Sequence, residues 1–142
     1  MDKSYSIDVL DIKNHSRVLF IYPHPDDETY FNSGLIQKLI KQGVETHLLC
    51  LTKGGASTLS FSLKRDEKLT KVREKEFESV MRYLELKNYK IFDLEDGKMS
   101  LEKERAYKIT NEEIENIKPN FVITFEPFGV YGHPDHIFTN KI

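Results

Sequence analysis

The chain has 142 residues, 21 of them basic and 23 acidic, for a formal net charge of −2. That length suits one domain with a core of its own, and the near-balance of charge removes any general pull toward nucleic acid or anionic lipid. A hydrophobic share of 39% with 31% charged residues excludes a disordered chain.

In chain order, Met1–Ser16 reads as a leader without periodicity; it lacks the apolar core of a signal peptide. Arg17–Tyr22 (RVLFIY) is a continuous apolar run and predicts a buried strand. Gly34–Lys41 places Leu35, Ile36, Leu39 and Ile40 on one helical face, with Ser33 as a cap and Gly43 at the C-terminal end. Glu45–Leu51 predicts a second strand, and within it the lone cysteine, Cys50, reads as a buried thiol. Thr52–Asp66, with its Gly-Gly pair and serines, predicts a loop. Leu69–Leu86 predicts a helix: Phe77, Val80, Met81 and Leu84 form an apolar stripe, and the alternating charges of KVREKEFE form its solvated face. Lys90–Leu94 predicts a third strand, followed by an Asp96-Gly97 turn. Leu101–Lys118 predicts a weaker helix stopped by Pro119, Phe121–Phe125 a fourth strand, and Gly129, Gly132 and Pro134 mark a long loop toward Ile142. No apolar run approaches the roughly 20 residues of a membrane span. A single cysteine and no secretory signal make the cytoplasm the expected location.

Four strands alternating with helices predict an α/β domain with a mainly parallel sheet and flanking helices. The unusual polar residues then fall together, because PHPDDE (23–28), TKGGAS (52–57), EDG (95–97) and EPFGVYGHPDH (126–136) each follow a strand and share one sheet edge. In the doubly wound order strand three packs on two, two on one, and one on four, which makes strands one and four neighbours at the switch point where ligands bind. His24, Asp26, Asp27 and Glu28 would there meet His133, Asp135 and His136. Imidazoles with carboxylates suit zinc, or ferrous iron in an open site. The alternative of plain helix capping by the acids does not account for two such motifs at one edge. Nucleotide binding is disfavoured: GxGxxG is absent after strand one, and the 52–57 loop lacks the Lys-Ser/Thr ending of a P-loop.

PHPDDE after one strand and YGHPDH after another resemble the PIG-L/LmbE-like deacetylases, zinc-dependent N-acetylglucosaminyl de-N-acetylases with a Rossmann-like fold. The resemblance runs from about Arg17 to the end and takes in the T-K-G-G loop, Arg73 and Asp96-Gly97. It implies a single domain over 1–142 that ends sooner than family members do, as a fragment or a reduced member. It implies zinc ligands His24, Asp27 and His136, with Fe2+ as the other candidate ion. Asp26 would be the general base, His133 the group that stabilises the oxyanion or protonates the amine, and Asp135 the residue that orients or tunes His133. Arg73 would touch substrate or serve a surface or packing role, and Glu28 would support the ligands. The implied reaction removes acetate from a small-molecule amino sugar. The alternatives are an amidase acting on another acylated or thiol-conjugated small molecule, and an inactive metal-binding module. No nucleic-acid partner is expected, and a homo-oligomer is left open.

Overall fold

The computed structural model describes residues 12–57 and 67–142. Its centre is a four-stranded, all-parallel sheet: β1 (Arg17–Tyr22), β2 (Glu45–Thr52), β3 (Asn88–Leu94) and β4 (Phe121–Ile123), in the order β3-β2-β1-β4. The helices are α1 (Ser33–Lys41), α2 (Glu67–Tyr83), α3 (Lys103–Ile117), a single turn α4 (Gly129–Gly132) and α5 (Pro134–Thr139). The fold is the α/β arrangement that the alternating pattern predicts, down to the placement of β1 beside β4. Of the expected leader and loop, Met1–Asp11 and residues 58–66 lie outside the described residues.

β1 is apolar on both sides because both sides are covered. Val18, Phe20 and Tyr22 pack with Ile36 and Leu39 of α1 and with Phe77 and Met81 of α2. Leu19 and Ile21 pack on the other side with Met99 and with Ala106 of α3, bordered by Ile109 and Phe138. A parallel sheet enclosed this way reads as an unbroken apolar run, and parallel pairing is met by crossovers through α1, α2 and α3. Phe77, Met81 and Leu84 of the predicted stripe are buried, and so is Cys50. Among the described residues no helix is long and apolar enough to cross a membrane.

Three local predictions need correction. The first helix does not begin at a Ser33 cap; a π-helical turn, Glu28–Asn32, precedes it and Asn32 takes the capping position. β4 stops at Ile123, because the Thr124 hydroxyl donates to the Ile21 carbonyl at 2.8 Å and Phe125 turns in to stack on His136. The stretch expected as one long loop contains α5. Pro134 stands at its first turn, where a missing N–H costs nothing, and His133 caps it by accepting the Asp135 N–H.

Candidate active site

The end of β1 delivers His24 to the carboxyl edge of the sheet in a turn held by its own side chains. The Asp27 carboxylate accepts the His24 N–H at 3.0 Å, and that of Glu28 accepts the Asp26 N–H at 3.2 Å. Asp26 has a φ of 106°, a conformation that costs a non-glycine residue about 1–3 kcal/mol and persists only where surroundings enforce it. Arg73 of α2 is one such restraint. Its guanidinium donates to the carbonyls of Pro25 and Gly54 and pairs with Asp26 Oδ2 at 2.8 Å. Gly54, with a φ of 65°, leaves the space that Arg73 fills; a Cβ there would overlap the guanidinium.

The histidine motifs after β1 and β4 meet. Asp27 lies between two imidazoles: its Oδ2 is 3.4 Å from His24 Nδ1 and its Oδ1 is 3.3 Å from His136 Nε2. His133 joins them, since one ring nitrogen from each of His24, His133 and His136 falls within 4.8 Å of the others. The structure thus brings His24, Asp26, Asp27, His133, Asp135 and His136 to one place, with Arg73 at its border. A cleft of about 330 Å³ opens over the cluster, walled by Arg73, Asp96, Tyr131 and His133.

Asp135 holds the His133 ring through its backbone N–H, 3.2 Å from Nδ1, and not through its carboxylate, which makes no hydrogen bond to that imidazole. Asp135 is 2% exposed, and its carboxylate accepts from His24 Nε2 at 3.1 Å, from the Gly97 N–H at 2.7 Å and from the buried Met99 N–H at 3.3 Å. The reason is local: α5 points the Asp135 side chain down toward the loop after β3, while His133, as its cap, stays above. His133 Nδ1 is occupied by the Asp135 backbone N–H, which leaves Nε2 as the proton-bearing nitrogen of the neutral ring.

Sequence reasoning missed Asp96 as a site residue. Its Oδ1 lies 3.1 Å from His24 Nε2, and its Oδ2 accepts the Ala56 N–H at 2.8 Å, tying the loops after β2 and β3 together. The signal was present, because Asp96 follows the third strand at the shared edge, but Asp-Gly also satisfies a turn. Phe125 was read only as a strand residue. Its ring stacks on His136 at 3.9 Å with planes 5° apart.

Electrostatics set this cluster apart. Burial alone would push His24 down, but hydrogen bonds to Asp135, Asp27 and Asp96 outweigh it and lift the imidazolium to about 11. Burial would raise Asp27, yet His136 and His24 hold it at about 2. Burial raises Asp26 against the opposing pull of Arg73. Burial, then His24 and His136, push His133 down. Three carboxylates around one imidazole require positive charge nearby.

The protonated His24 supplies it in the metal-free fold, and His136 is the strongest sign that a metal cation can take its place. His136 is 0% exposed. Among the described residues Nδ1 has no partner and Nε2 has only the Asp27 carboxylate at 3.3 Å, outside hydrogen-bond geometry; a buried imidazole left so is costly, unless a nitrogen serves as a lone-pair donor to a cation. The donor set of imidazoles and a carboxylate suits a divalent transition ion, so the residues present fit a metal.

A family model described as PIG-L, GlcNAc-PI de-N-acetylase, matches residues 19–142. The chain is 31% identical to a probable N-acetyl-alpha-D-glucosaminyl L-malate deacetylase 2 of Bacillus anthracis, over 92% of this chain and 58% of that protein. It is 25% identical to a 1D-myo-inositol 2-acetamido-2-deoxy-alpha-D-glucopyranoside deacetylase of Mycolicibacterium vanbaalenii, over 89% of this chain and 52% of that one. Among solved structures it resembles the N,N'-diacetylchitobiose deacetylase of Pyrococcus horikoshii, with a TM-score of 0.78 and 31% identity over 93% of this chain and 51% of the other. The chain therefore spans a little over half the length of these relatives. With nearly all of its described sheet and both histidine motifs inside the matched region, the chain belongs to the PIG-L family.

Proposed function

We infer that this site hydrolyses the N-acetyl amide of an N-acetylglucosamine-containing small molecule in the cytoplasm, using a zinc ion held by His24, Asp27 and His136. The observation that carries the reading is the buried imidazole of His136, which makes no hydrogen bond among the described residues and faces Asp27 at 3.3 Å. The names of the relatives, deacetylases of GlcNAc-malate, GlcNAc-inositol and diacetylchitobiose, support the substrate class. When bound, the ion supplies Lewis acidity toward a carbonyl oxygen and makes water more acidic.

The chain's own groups divide the remaining work. Asp26 takes the proton of the attacking water. Its basicity is raised by burial, and a base closer to neutrality serves better at neutral pH. Arg73 binds one Asp26 oxygen and leaves the other for the water. His133 presents Nε2–H to the substrate against the negative charge that develops on the carbonyl oxygen, and the departing amine takes the proton that Asp26 received from the water. Asp135 and Asp96 hold His24 in place through its Nε2. Tyr131 and Arg73 wall the cleft where the sugar would lie.

The test is release of primary amine from a panel of N-acetylglucosaminides by zinc-loaded protein. Amine release from one or more of them, lost on chelation and restored by zinc, is the expected result. Metal uptake without amine release would reduce the site to a binding module, and cleavage only of other acyl amides would redirect the substrate.

A further inference from the structure

We propose that Glu28 is the positioning residue of the site: its carboxylate holds the Asp26 N–H and so fixes the turn that aims the Asp26 carboxylate into the cleft. The proposal rests on the reading of Asp26 as the base. Glu28 is 1% exposed, yet it lies outside the cluster around His24, and no step of the reaction above uses it. Both its oxygens are engaged, Oε2 by the Asp26 N–H at 3.2 Å and Oε1 by the Thr29 hydroxyl at 2.8 Å. A buried carboxylate committed to the backbone of one neighbour is an expensive device for packing alone.

The conformation of Asp26 explains why such a device is needed. With φ at 106°, the residue sits where side chains rarely go, and relaxation to negative φ would swing its carboxylate away from the cleft. The Thr29 and Tyr30 N–H groups both bond the Asp26 carbonyl, at 2.9 and 3.0 Å, which fixes the far side of the residue. Arg73 clamps the Pro25 carbonyl and the Asp26 carboxylate from α2. Glu28 is the restraint on the N–H between them. Arg73 alone would still allow the Pro25–Asp26 peptide plane to turn; with its N–H also held, that plane is fixed.

Two variants separate aim from mere structure. Glu28→Met keeps the volume of the side chain without an acceptor, and Glu28→Gln keeps an acceptor oxygen without the charge. In the metal-free protein, the Asp26 amide should resist hydrogen exchange in wild type and E28Q and lose its protection in E28M. In the zinc-loaded protein, E28M should lose ten-fold or more in kcat with KM within two-fold and metal content unchanged, and E28Q should recover most of that loss. A misplacement of about 1 Å costs on the order of 100-fold, so the effect is measurable. An unprotected Asp26 amide in wild type overturns the proposal without any variant. So does E28M with wild-type kcat, or E28Q as impaired as E28M. If wild type releases no amine, the deacetylase reading fails, and amide exchange still decides whether Glu28 holds the turn.

Discussion

Replacing Asp135 with alanine tests the corrected role of that residue. Its carboxylate accepts two backbone N–H groups, those of Gly97 and Met99, besides His24, and is almost wholly out of solvent. Hydrogen bonds to a charged acceptor contribute about 1.5–3 kcal/mol each, so losing the two backbone bonds removes about 3–6 kcal/mol. Relief of repulsion among Asp135, Asp27 and Asp96 offsets part of that. For a domain of this size about 1 kcal/mol moves Tm by about 4 °C, so a fall of roughly 10 °C or more is expected by calorimetry on metal-free protein. Asparagine, with one acceptor oxygen and a donor in place of the other, should fall between alanine and wild type. Zinc affinity of D135A should drop about 10–100-fold, as when an outer partner of a ligand histidine is removed. A D135A protein that melts with wild type would refute the assigned hydrogen bonds, and one that binds zinc as wild type does would refute the bracing of His24.

Asp26→Asn should keep zinc, by elemental analysis, and lose about 10²–10⁴-fold in kcat; near-normal turnover would remove Asp26 from the chemistry. Zinc should raise the Tm of wild type and leave that of His136→Phe unchanged, since the variant lacks the buried imidazole that faces Asp27; a metal-dependent rise in its Tm would assign the ion to other ligands. His24 carries its proton up to about 11 in the metal-free fold, against about 6.5 when unfolded. Its imidazolium therefore stabilises the metal-free protein fully below about pH 6.5, and that contribution fades as pH rises toward about 11. Zinc uptake near pH 7.5 should then release about one proton from His24, read by calorimetry in buffers of different ionisation enthalpy, and uptake without proton release would contradict the charge state.

The sheet order and the meeting of His24 with His136 were legible because both follow from coarse features. A buried parallel strand is an unbroken apolar run, and strand order fixes which loops are neighbours. Hydrogen-bond partners were not legible at that level. Asp135 lies next to His136 and two residues from His133, so sequence distance favoured a carboxylate–imidazole contact, whereas α5 gives His133 the backbone N–H of Asp135 and turns the carboxylate elsewhere. Its true partners, Gly97 and Met99, are 38 and 36 residues away. The π-helical turn at Glu28–Asn32 escaped notice because its residues carry no apolar period; the bonds of the 23–28 motif create it. The early end of β4 was hidden because Phe125 is as good a strand residue as Phe121 until its ring is needed on His136.

That ring distinguishes the two imidazoles on either side of Asp27. His24 is oriented by ionic partners on both nitrogens, whereas His136 has Asp27 at one nitrogen only and the flat face of Phe125 against its ring. One imidazole is steered mainly by charge and the other mainly by shape, so they answer to different disturbances. Acid, by neutralising the carboxylates around it, acts on the His24 side and loosens its grip, while Phe125 still holds the plane of His136. Carving away aromatic volume, as in Phe125→Leu, acts on the other side: His136 gains rotational freedom, the metal must freeze that freedom on binding, and affinity falls by an entropic route that salt does not alter.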